Sequence, residues 1–270
     1  MRMIALHKCL PGMCLAKSIY SVDGRVLLAQ GVELTNPLIE KLKQYGISYV
    51  YIQDPLFSDL KEESSIPDEI SLAATAKIRQ LFHDQFHPAQ KSIAWNKLYR
   101  ELEKLFEILY REIMQHKQAM FRLNQIYTYD AYLYKHSYQV GVYAMIIAIQ
   151  HQYPKDKVLE IALGSFLHDI GKLSISREII NKRGKLTDDE FEEVKRHTIY
   201  GYDILRQDCV FPLLSAHVAL QHHERLDGSG YPRGLKGDEI HEYAKIVGIV
   251  DVYDALTTNR IYRQAILPNH

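Results

Sequence analysis

The sequence has few of the features that would place a protein in a specialised class. It contains three cysteines, Cys9, Cys14 and Cys209, an odd number without the paired spacing of a structural zinc site. We therefore expect a reducing compartment, with all three thiols as small core residues. Lysine plus arginine equals aspartate plus glutamate at 33 each, so no net charge favours a nucleic acid polymer or an anionic membrane. The composition predicts a small-molecule partner.

Long hydrophobic runs are also missing. The longest apolar run, residues 140–149, contains Gly141 and Tyr143 and is far shorter than the ~20 residues of a transmembrane helix. Met1-Arg2-Met3-Ile4 leads into no signal-peptide core. We expect a cytoplasmic protein with no membrane segment. There is no internal repeat or low-complexity tract, and 270 residues suffice for one large core and a smaller one.

The N-terminal part alternates short apolar stretches with turn signals. Residues 13–20 and 25–29 are predicted strands joined by a turn at Val22-Asp23-Gly24, and residues 48–52 are predicted to form a further strand. A helix is expected before that last strand. Together these elements predict a small α/β module over residues 1–55, which we expect to regulate or assemble rather than to catalyse.

The N-terminal part also contains signals for one helix and for a linker. Thr35 is a candidate N-cap, Pro37 stands near the first helical position, and Gly46 ends the predicted helix. The polar, proline-broken stretch 53–67 is typical of a linker. We assign residues 56–125 to this linker and to amphipathic helices.

Helical periodicity dominates the rest of the chain. Leu98, Leu102, Leu105, Ile108 and Leu109 recur at helical spacing and predict an amphipathic helix, which we expect to pair two chains as a homodimer. Similar periodicity is found in residues 136–149, 158–167, 188–205, 213–222 and 244–257. The sequence therefore predicts a mainly α protein whose catalytic part, residues 126–270, is a helix bundle.

Several histidines and carboxylates stand where a charge is costly. His168-Asp169 ends an apolar helical segment, and Asp251 lies within the apolar run 246–252. Buried charges of this kind need a neutralising partner, and a divalent cation would provide one. Lys172 follows Asp169 by three residues, so in a helical turn it shares the same face and places an ammonium group beside the carboxylate, which suits a phosphate ligand.

The histidine pair His222-His223 adds nitrogen donors of the type that hold divalent metals. The motifs that accompany it, in order, are His168-Asp169-Ile170-Gly171-Lys172, Lys185-Leu186-Thr187, His197, His222-His223-Glu224, Asp227-Gly228-Ser229-Gly230-Tyr231-Pro232 and Asp251-Val252-Tyr253-Asp254-Ala255-Leu256. This series, over residues 130–264, strongly resembles the HD-GYP subgroup of HD-domain phosphohydrolases. The resemblance implies an HD-type helical bundle that hydrolyses cyclic di-GMP to linear pGpG or GMP, with iron, manganese or similar metals.

The resemblance also implies a set of metal ligands. The residues carried over for the first metal are His136, His168, Asp169 and Asp251. The residues for the second metal are His197, His222 and His223, with Asp169 bridging both. Two cations about 3.5–4 Å apart would activate a bridging hydroxide for in-line attack on phosphorus. A third metal would need a glutamate at the position of Tyr132, so we expect a dinuclear site.

Substrate contacts are implied at other positions of the same motifs. Asp169 and Lys172 would be the catalytic pair, with Lys172 also stabilising charge on the phosphoryl oxygens. The loop residues Gly230, Tyr231 and Pro232 would shape the substrate pocket, with the tyrosine facing a guanine or ribose. Arg260 and Arg263 would contact phosphate, a task that guanidinium groups suit. Because HD-GYP domains continue through further helices beyond the position of His270, we expect a truncated domain.

Two alternative functions remain open from the sequence. The same HD site could act on another nucleotide, such as a different cyclic dinucleotide or an alarmone, although the Gly-Tyr-Pro loop argues against an alarmone. The chain could also be a non-catalytic receptor for a nucleotide or a partner protein. The intact His-Asp pair argues against a receptor.

Overall fold

A computed structural model describes the protein in two compact units. The described residues are 1–21, 25–47, 49–54, 70–71, 73–78, 80, 94–115, 126–127, 132–180, 182, 184–207 and 209–257, with only the backbone described for 126–127 and 132–135. Unit 1 comprises Met1–Gln80 and Glu112–Lys135, and unit 2 comprises Leu81–Arg111 and His136–His270.

Unit 1 contains two small sheets. Strand β1 (Arg2–Ala5) pairs antiparallel with β4 (Tyr49–Ile52). In the second sheet, β2 (Ile19–Tyr20) lies between β3 (Val26–Leu28), which is antiparallel to it, and β5 (Ile126–Tyr127), which is parallel. The predicted strands are therefore present in shorter form, and the turn at 22–24 lies outside the described residues.

The one helix of the predicted α/β module forms as its signals indicate. Helix α1 (Asn36–Gln44) follows Thr35 in extended conformation, has a proline in its first turn, and precedes Gly46, whose φ of 73° suits glycine. Ile39 and Leu42 point into a core that also contains the buried Leu15. The predicted helix is confirmed, although the side chain of Thr35 makes no capping hydrogen bond.

Unit 2 carries the helical part of the fold. Two helices, α2 (Trp95–Gln115) and α3 (Tyr132–Gln150), belong to it except for residues 112–115 and 132–135, which are assigned to unit 1. The others are α4 (Lys155–Leu167), α5 (Arg177–Ile180), α6 (Asp188–Lys195), α7 (His197–Gln207), α8 (Leu213–Gln221) and α9 (Glu242–Thr257). Helix α8 packs against α4, α7 and α9, which explains why it is apolar on most of its surface. The mainly α class predicted from the sequence is confirmed.

The leucine stripe of α2 is buried within a single chain. Leu98, Leu102 and Leu109 are each 0% exposed, whereas Ile108 is 48% exposed. Between them, Phe106 packs edge-on against Phe166 of α4, with ring centroids 5.8 Å apart. The prediction that this stripe pairs two chains therefore needs correction, because its leucines already contribute to the core of their own chain.

Two further expectations change with the structure. Residues 188–205 form two helices rather than one, because α6 ends at Lys195 and α7 begins at His197. The three cysteines are free, but only Cys9 is buried, whereas Cys209 is exposed, so the prediction of three core thiols is wrong for Cys209. No helix in the described part of the chain has the length and apolar character that a membrane-spanning segment requires.

Candidate metal centre

The His-Asp pair lies where an apolar helix ends inside unit 2. Helix α4 is buried along most of its length, and His168 follows its last residue at 0% exposure. Asp169 is 6% exposed and precedes the 3-10 turn Ile170–Ser174. A carboxylate at this depth costs several kcal/mol unless cations or hydrogen bonds compensate it (~2–7 kcal/mol for polar groups, more for charges).

Seven donor residues converge around this pair in two groups. The first cluster consists of His136 from α3, His168, and Asp251 from α9; the second cluster consists of Asp169, His197 at the start of α7, and His222 and His223 after α8. Within each cluster the donor atoms lie within 4.8 Å of one another. The structure thus brings together all seven residues that the motifs predicted as ligands, although Asp169 groups with the second cluster rather than with the first. His136 is also 3.6 Å from Asp169, which is the predicted bridge between the sets.

The hydrogen bonds behind the rings determine which nitrogen faces the centre. The Nδ1 atom of His168 lies 2.6 Å from the carbonyl oxygen of Ser165, and Nδ1 of His197 lies 2.6 Å from that of Val194. A carbonyl oxygen can only accept, so each Nδ1 must carry the proton and donate it. The Nδ1 of His222 contacts the carbonyl oxygen of Ala219 at 2.9 Å in the same way. In each neutral ring the Nε2 lone pair is therefore left for a ligand.

Two of these lone pairs face each other without a proton between them, because Nε2 of His197 is 3.3 Å from Nε2 of His222. Nε2 of His136 lies at the same distance from Nε2 of His168. Oδ1 of Asp169 is buried without a hydrogen-bond partner, although Nε2 of His197 lies 3.3 Å away. Acceptors that converge on acceptors are unfavourable in a protein interior unless a cation lies among them. The arrangement fits divalent metal ions held by nitrogen and oxygen donors.

The pKa shifts agree with neutral rings in the second cluster. Burial lowers the pKa of His197 to about 4 and that of His223 to about 3, and it holds the pKa of His222 well below its usual value. Burial opposes the charge of Asp169 as well, but the ammonium group of Lys172 keeps the pKa of that carboxyl well below its usual range. A carboxylate among neutral imidazoles is the state that binds a metal.

The first cluster differs because His136 lies between carboxylates. Burial disfavours the protonated ring, but hydrogen bonds to Asp251 and Asp254 outweigh it and raise the pKa of His136 to about 9. The proton on Nε2 and a cation would occupy the same place, because Asp251 and Asp169 attract either one. A cation bound at this cluster would therefore displace a proton.

Lys172 contacts the carboxylate that the two clusters share. Its ammonium group bonds to Oδ2 of Asp169 from the 3-10 turn, three residues further on, as the spacing predicted. The lysine side chain is 31% exposed, whereas that of Asp169 is 5% exposed. The ammonium group consequently lies between the buried donors and the solvent.

A close backbone approach positions His197 beside Asp169. A Cβ atom on Gly171 would lie 1.9 Å from the carbonyl oxygen of His197 and 2.5 Å from the amide nitrogen of Gly201. Only glycine allows the 3-10 turn to lie this close to α7. The first turn of α7 is thereby held against the turn that follows Asp169.

The loop after the histidine pair folds back over the second cluster. A Cβ on Gly230 would lie 2.4 Å from the amide nitrogen of Arg225, which explains the glycine at that position. The ring of Tyr231 lies 4.7 Å from the ring of His223 at an angle of 30°, so the tyrosine packs on a proposed ligand. That the opposite face of Tyr231 contacts a guanine or ribose stays a prediction.

A buried glutamate that the sequence reasoning left without a role anchors this loop. Glu224 is 5% exposed, and its carboxylate accepts hydrogen bonds from the backbone N–H groups of Arg233 at 2.7 Å and Leu235 at 3.0 Å. These residues follow Tyr231 and Pro232, which are joined by a cis peptide bond. The signal for this role was the acid placed directly after His222-His223, before a stretch rich in glycine.

Asp254 is a second residue that the sequence reasoning missed. It is 0% exposed, and its Oδ2 atom accepts a hydrogen bond from Nδ1 of His136 at 2.7 Å. Its spacing of three residues from Asp251 in an apolar helix was the available signal. Arg260 and Arg263 lie outside the described residues, as does the side chain of Tyr132.

The chain is similar to a family model and to several named phosphodiesterases. A family model described as HD domain matches residues 107–269. Cyclic di-GMP phosphodiesterase PA4108 of Pseudomonas aeruginosa is 31% identical over 247 residues, which cover 84% of this chain and 60% of that protein. The 3'3'-cGAMP-specific phosphodiesterase 3 of Vibrio cholerae is 42% identical over 130 residues, or 48% of this chain and 28% of that protein.

Further matches extend the comparison to another relative and to a solved structure. A cyclic di-GMP phosphodiesterase of Thermotoga maritima is 43% identical over 143 residues, covering 52% of this chain and 39% of that protein. The chain thus spans less than two thirds of the length of these relatives. The structure of Bd1817, a HDG"Y"P protein from Bdellovibrio bacteriovorus, matches with a TM-score of 0.55 at 16% identity, covering 94% of this chain and 87% of that chain. The predicted HD-type fold and the predicted resemblance are confirmed by these matches.

Proposed function

The chain belongs to the HD domain family, and on that premise we propose that it is a metal-dependent phosphodiesterase that hydrolyses cyclic di-GMP to linear pGpG, GMP or both. The observation that carries this proposal is the pair of donor clusters around Asp169, in which the Nε2 atoms of His136 and His168, and those of His197 and His222, approach each other to 3.3 Å. A phosphodiester next to such a centre would meet the groups that its hydrolysis requires.

The proposed cofactors are two divalent metal ions, with iron or manganese as the preferred elements. Imidazole and carboxylate donors without thiolates suit these metals. The first cluster would hold one ion and the second cluster the other, and Asp169 would bridge them. When bound, two such ions activate a water molecule and withdraw charge from the phosphoryl oxygens. A third ion is not proposed, because Tyr132 stands where a carboxylate ligand would be needed.

Residues around the clusters would bind and orient the substrate. Lys172, partly exposed beside Asp169, would place its ammonium group against a phosphoryl oxygen. The loop with Gly230, Tyr231 and Pro232 would form one wall of the substrate pocket. We also retain Arg260 and Arg263 as proposed phosphate contacts.

A second substrate deserves the same test. Several relatives are named as cyclic di-GMP phosphodiesterases, but others are named as 3'3'-cGAMP-specific phosphodiesterases, and one of these is 42% identical over the matched region. Both molecules are cyclic dinucleotides with two phosphodiester bonds, so the same metal chemistry applies to either. We therefore propose 3'3'-cGAMP as the alternative substrate, and a non-catalytic receptor as the alternative from another functional class.

The organisation of the protein forms part of the proposal. We propose that residues 126–270 catalyse, that residues 1–55 regulate, and that residues 56–125 connect them. All seven proposed ligands lie in unit 2. A homodimer through the helical region would have to use surfaces other than the buried leucine stripe of α2. We also propose that the protein acts in the cytoplasm.

The decisive experiment is a turnover assay on the full chain, purified without oxygen and supplied separately with Fe²⁺ and Mn²⁺. Cyclic di-GMP, 3'3'-cGAMP and a linear dinucleotide are the test substrates, and products are separated by chromatography. We expect pGpG or GMP from cyclic di-GMP, and none from an Asp169→Asn variant that retains the shape of the side chain. Binding of cyclic di-GMP without turnover under both metals would favour the receptor and contradict the enzyme.

A further inference from the structure

One carboxylate lies against the metal centre without belonging to either donor cluster. Asp254 approaches Nδ1 of His136 at 2.7 Å, on the side of the ring away from the other donors. Asp251, three residues earlier on α9, approaches Nε2 of the same ring at 3.3 Å. One turn of α9 therefore contacts both nitrogens of an imidazole that belongs to α3.

The partner of His136 differs in kind from those of the other rings. His168, His197 and His222 each donate from Nδ1 to a backbone carbonyl oxygen, which carries no net charge. Among these four histidines, only His136 has a side-chain carboxylate in that position. The three backbone partners belong to helices that the fold holds in place, whereas the partner of His136 can be changed by a single substitution.

A carboxylate behind the ring has two consequences for the first cluster. It holds the proton of the neutral ring on Nδ1, so that the Nε2 lone pair is the one available to a cation beside His168 and Asp251. Its negative charge also makes the imidazole a stronger electron donor than a carbonyl would. Both effects act on how tightly a cation is held, and neither requires Asp254 to touch the cation.

We propose that Asp254 is a positioning residue that sets the metal affinity of the first cluster through His136. The inference rests on the proposed function insofar as that function requires a cation at this cluster. It extends that function by predicting that the metal affinity of the first cluster depends on Asp254 and that the affinity of the second cluster does not. The second cluster depends on rings whose Nδ1 partners are backbone carbonyls, so it should not respond to changes at Asp254.

The test measures Mn²⁺ binding to the metal-free full chain by calorimetry, independently of activity. Variants Asp251→Asn and His223→Ala first identify which of two binding events belongs to which cluster. Asp254→Asn should then weaken Mn²⁺ binding at the first cluster by about 10–100-fold while the second event keeps its wild-type affinity. Asp203→Asn, the same substitution at an exposed position of α7, is the control and should change neither event.

A double-mutant cycle separates positioning from general structural support. If Asp254 acts through His136, Asp254→Asn should cause no additional loss of first-cluster affinity in a His136→Ala background. An equal loss in both backgrounds would overturn the proposal, as would two wild-type binding events in Asp254→Asn itself. Asp254→Ser, which leaves room for a water molecule beside Nδ1, is a second variant with the same expectations if Asp254→Asn does not fold.

The outcome for the wild-type chain distinguishes this inference from the function on which it rests. Wild-type protein that binds no Mn²⁺ would overturn the metal-dependent function and the role of Asp254 together. Two Mn²⁺ ions in the wild type and two unchanged ions in Asp254→Asn would overturn only the role of Asp254. Two Mn²⁺ ions in the wild type without turnover of any test substrate would contradict the enzyme, whereas a weakened first binding event in Asp254→Asn would still support the role of Asp254.

Discussion

At the scale of single residues, the site depends on which atom of each side chain carries a proton. The three rings that donate from Nδ1 to backbone carbonyl oxygens are committed to one tautomer, because a carbonyl has no proton to give. The carboxylate of Asp169 is buried among these rings, with one oxygen in contact with Lys172 and the other without a hydrogen-bond partner. The two oxygens of Asp169 therefore have different surroundings: Oδ2 is paired with an ammonium group, and Oδ1 is free to bind a cation.

The contact between Lys172 and Asp169 leads to a prediction about catalysis. Replacing Lys172 by alanine should lower kcat by about 100-fold, because the ammonium group is proposed to stabilise charge that develops in the transition state. Metal content should stay at the wild-type level, since lysine is not among the donors of either cluster. Steady-state kinetics and elemental analysis measure the two quantities.

Lys157→Ala is the matched control, because Lys157 bonds only to the neighbouring Glu160 on the surface of α4 among its described contacts. This control should retain wild-type kcat. Loss of metal in Lys172→Ala would show that the lysine supports the donor set rather than the reaction.

At the scale of secondary-structure elements, the site depends on two backbone segments held at close range. The 3-10 turn Ile170–Ser174 approaches α7 at Gly171, and the loop after α8 is fastened by Glu224. The first contact brings His197 near Asp169, and the second brings Tyr231 onto His223. Each contact joins a proposed metal donor to another backbone segment.

The close approach at Gly171 predicts a large effect of one methyl group. Gly171→Ala places a Cβ 1.9 Å from the carbonyl oxygen of His197, so the turn and α7 must separate. We expect a loss of about 1–3 kcal/mol or more in the free energy of unfolding and weaker metal binding by the second cluster. Gly184→Ala is the control, because a Cβ there meets nothing within 4 Å. Equal stability of the two variants in denaturant melts would disprove this account.

The anchor at Glu224 predicts a defect in substrate handling rather than in metal binding. Glu224→Gln leaves one acceptor oxygen for two backbone N–H groups, which costs about 1–3 kcal/mol when a buried donor loses its partner. The loop with Tyr231 should loosen, and kcat/KM should fall by about tenfold, equivalent to ~1.4 kcal/mol.

Glu239→Gln provides the comparison, because Glu239 accepts from the backbone N–H of Lys236 in an exposed turn where water can replace it. That variant should keep wild-type kcat/KM. If both variants had the same kinetics, loop anchoring by Glu224 would not explain the activity.

At the scale of the whole molecule, the proposed ligands all lie in unit 2, while unit 1 has a separate core. The seven donors come from helices and turns that are far apart along the chain, from His136 to Asp251. A metal ion bound to several elements stabilises only the state in which they are assembled. If the two clusters bind metal as proposed, metal binding and folding of unit 2 are linked.

This linkage predicts that metal raises the melting temperature. A single ion at 100 times its Kd adds about 2.7 kcal/mol to the folded state. For a unit of 150–250 residues this corresponds to a rise in Tm of roughly 5–10 °C. Calorimetric scans of metal-free and Mn²⁺-loaded chains measure the shift, and a chelator should reverse it. A His223→Ala chain should show a smaller shift, and identical Tm values for the two wild-type samples would exclude a linked metal site.

Much of the proposed site could be predicted because its residues occur in short sequence motifs. Buried His-Asp and His-His pairs are costly without a cation, so their presence in apolar segments indicates metal binding wherever the segments are placed. Helical periodicity and the signals around α1 are local in the same sense. The leucine stripe of α2 was also recognised, but periodicity reports only that a face is apolar and not which surface covers it. The pairing of two chains through that stripe was therefore predicted wrongly.

By itself, the sequence determined the residue types available to the centre and the helical class of the unit that carries them, because composition and periodicity act over a few residues. Only the tertiary structure decided which nitrogen of each ring faces the centre. For His136 that choice depends on Asp254, 118 positions away in the chain. The close approach at Gly171 and the anchoring of the loop by Glu224 were likewise decided by contacts between distant segments. Such contacts follow from how the helices pack, and packing depends on the shape of the whole unit rather than on any one segment.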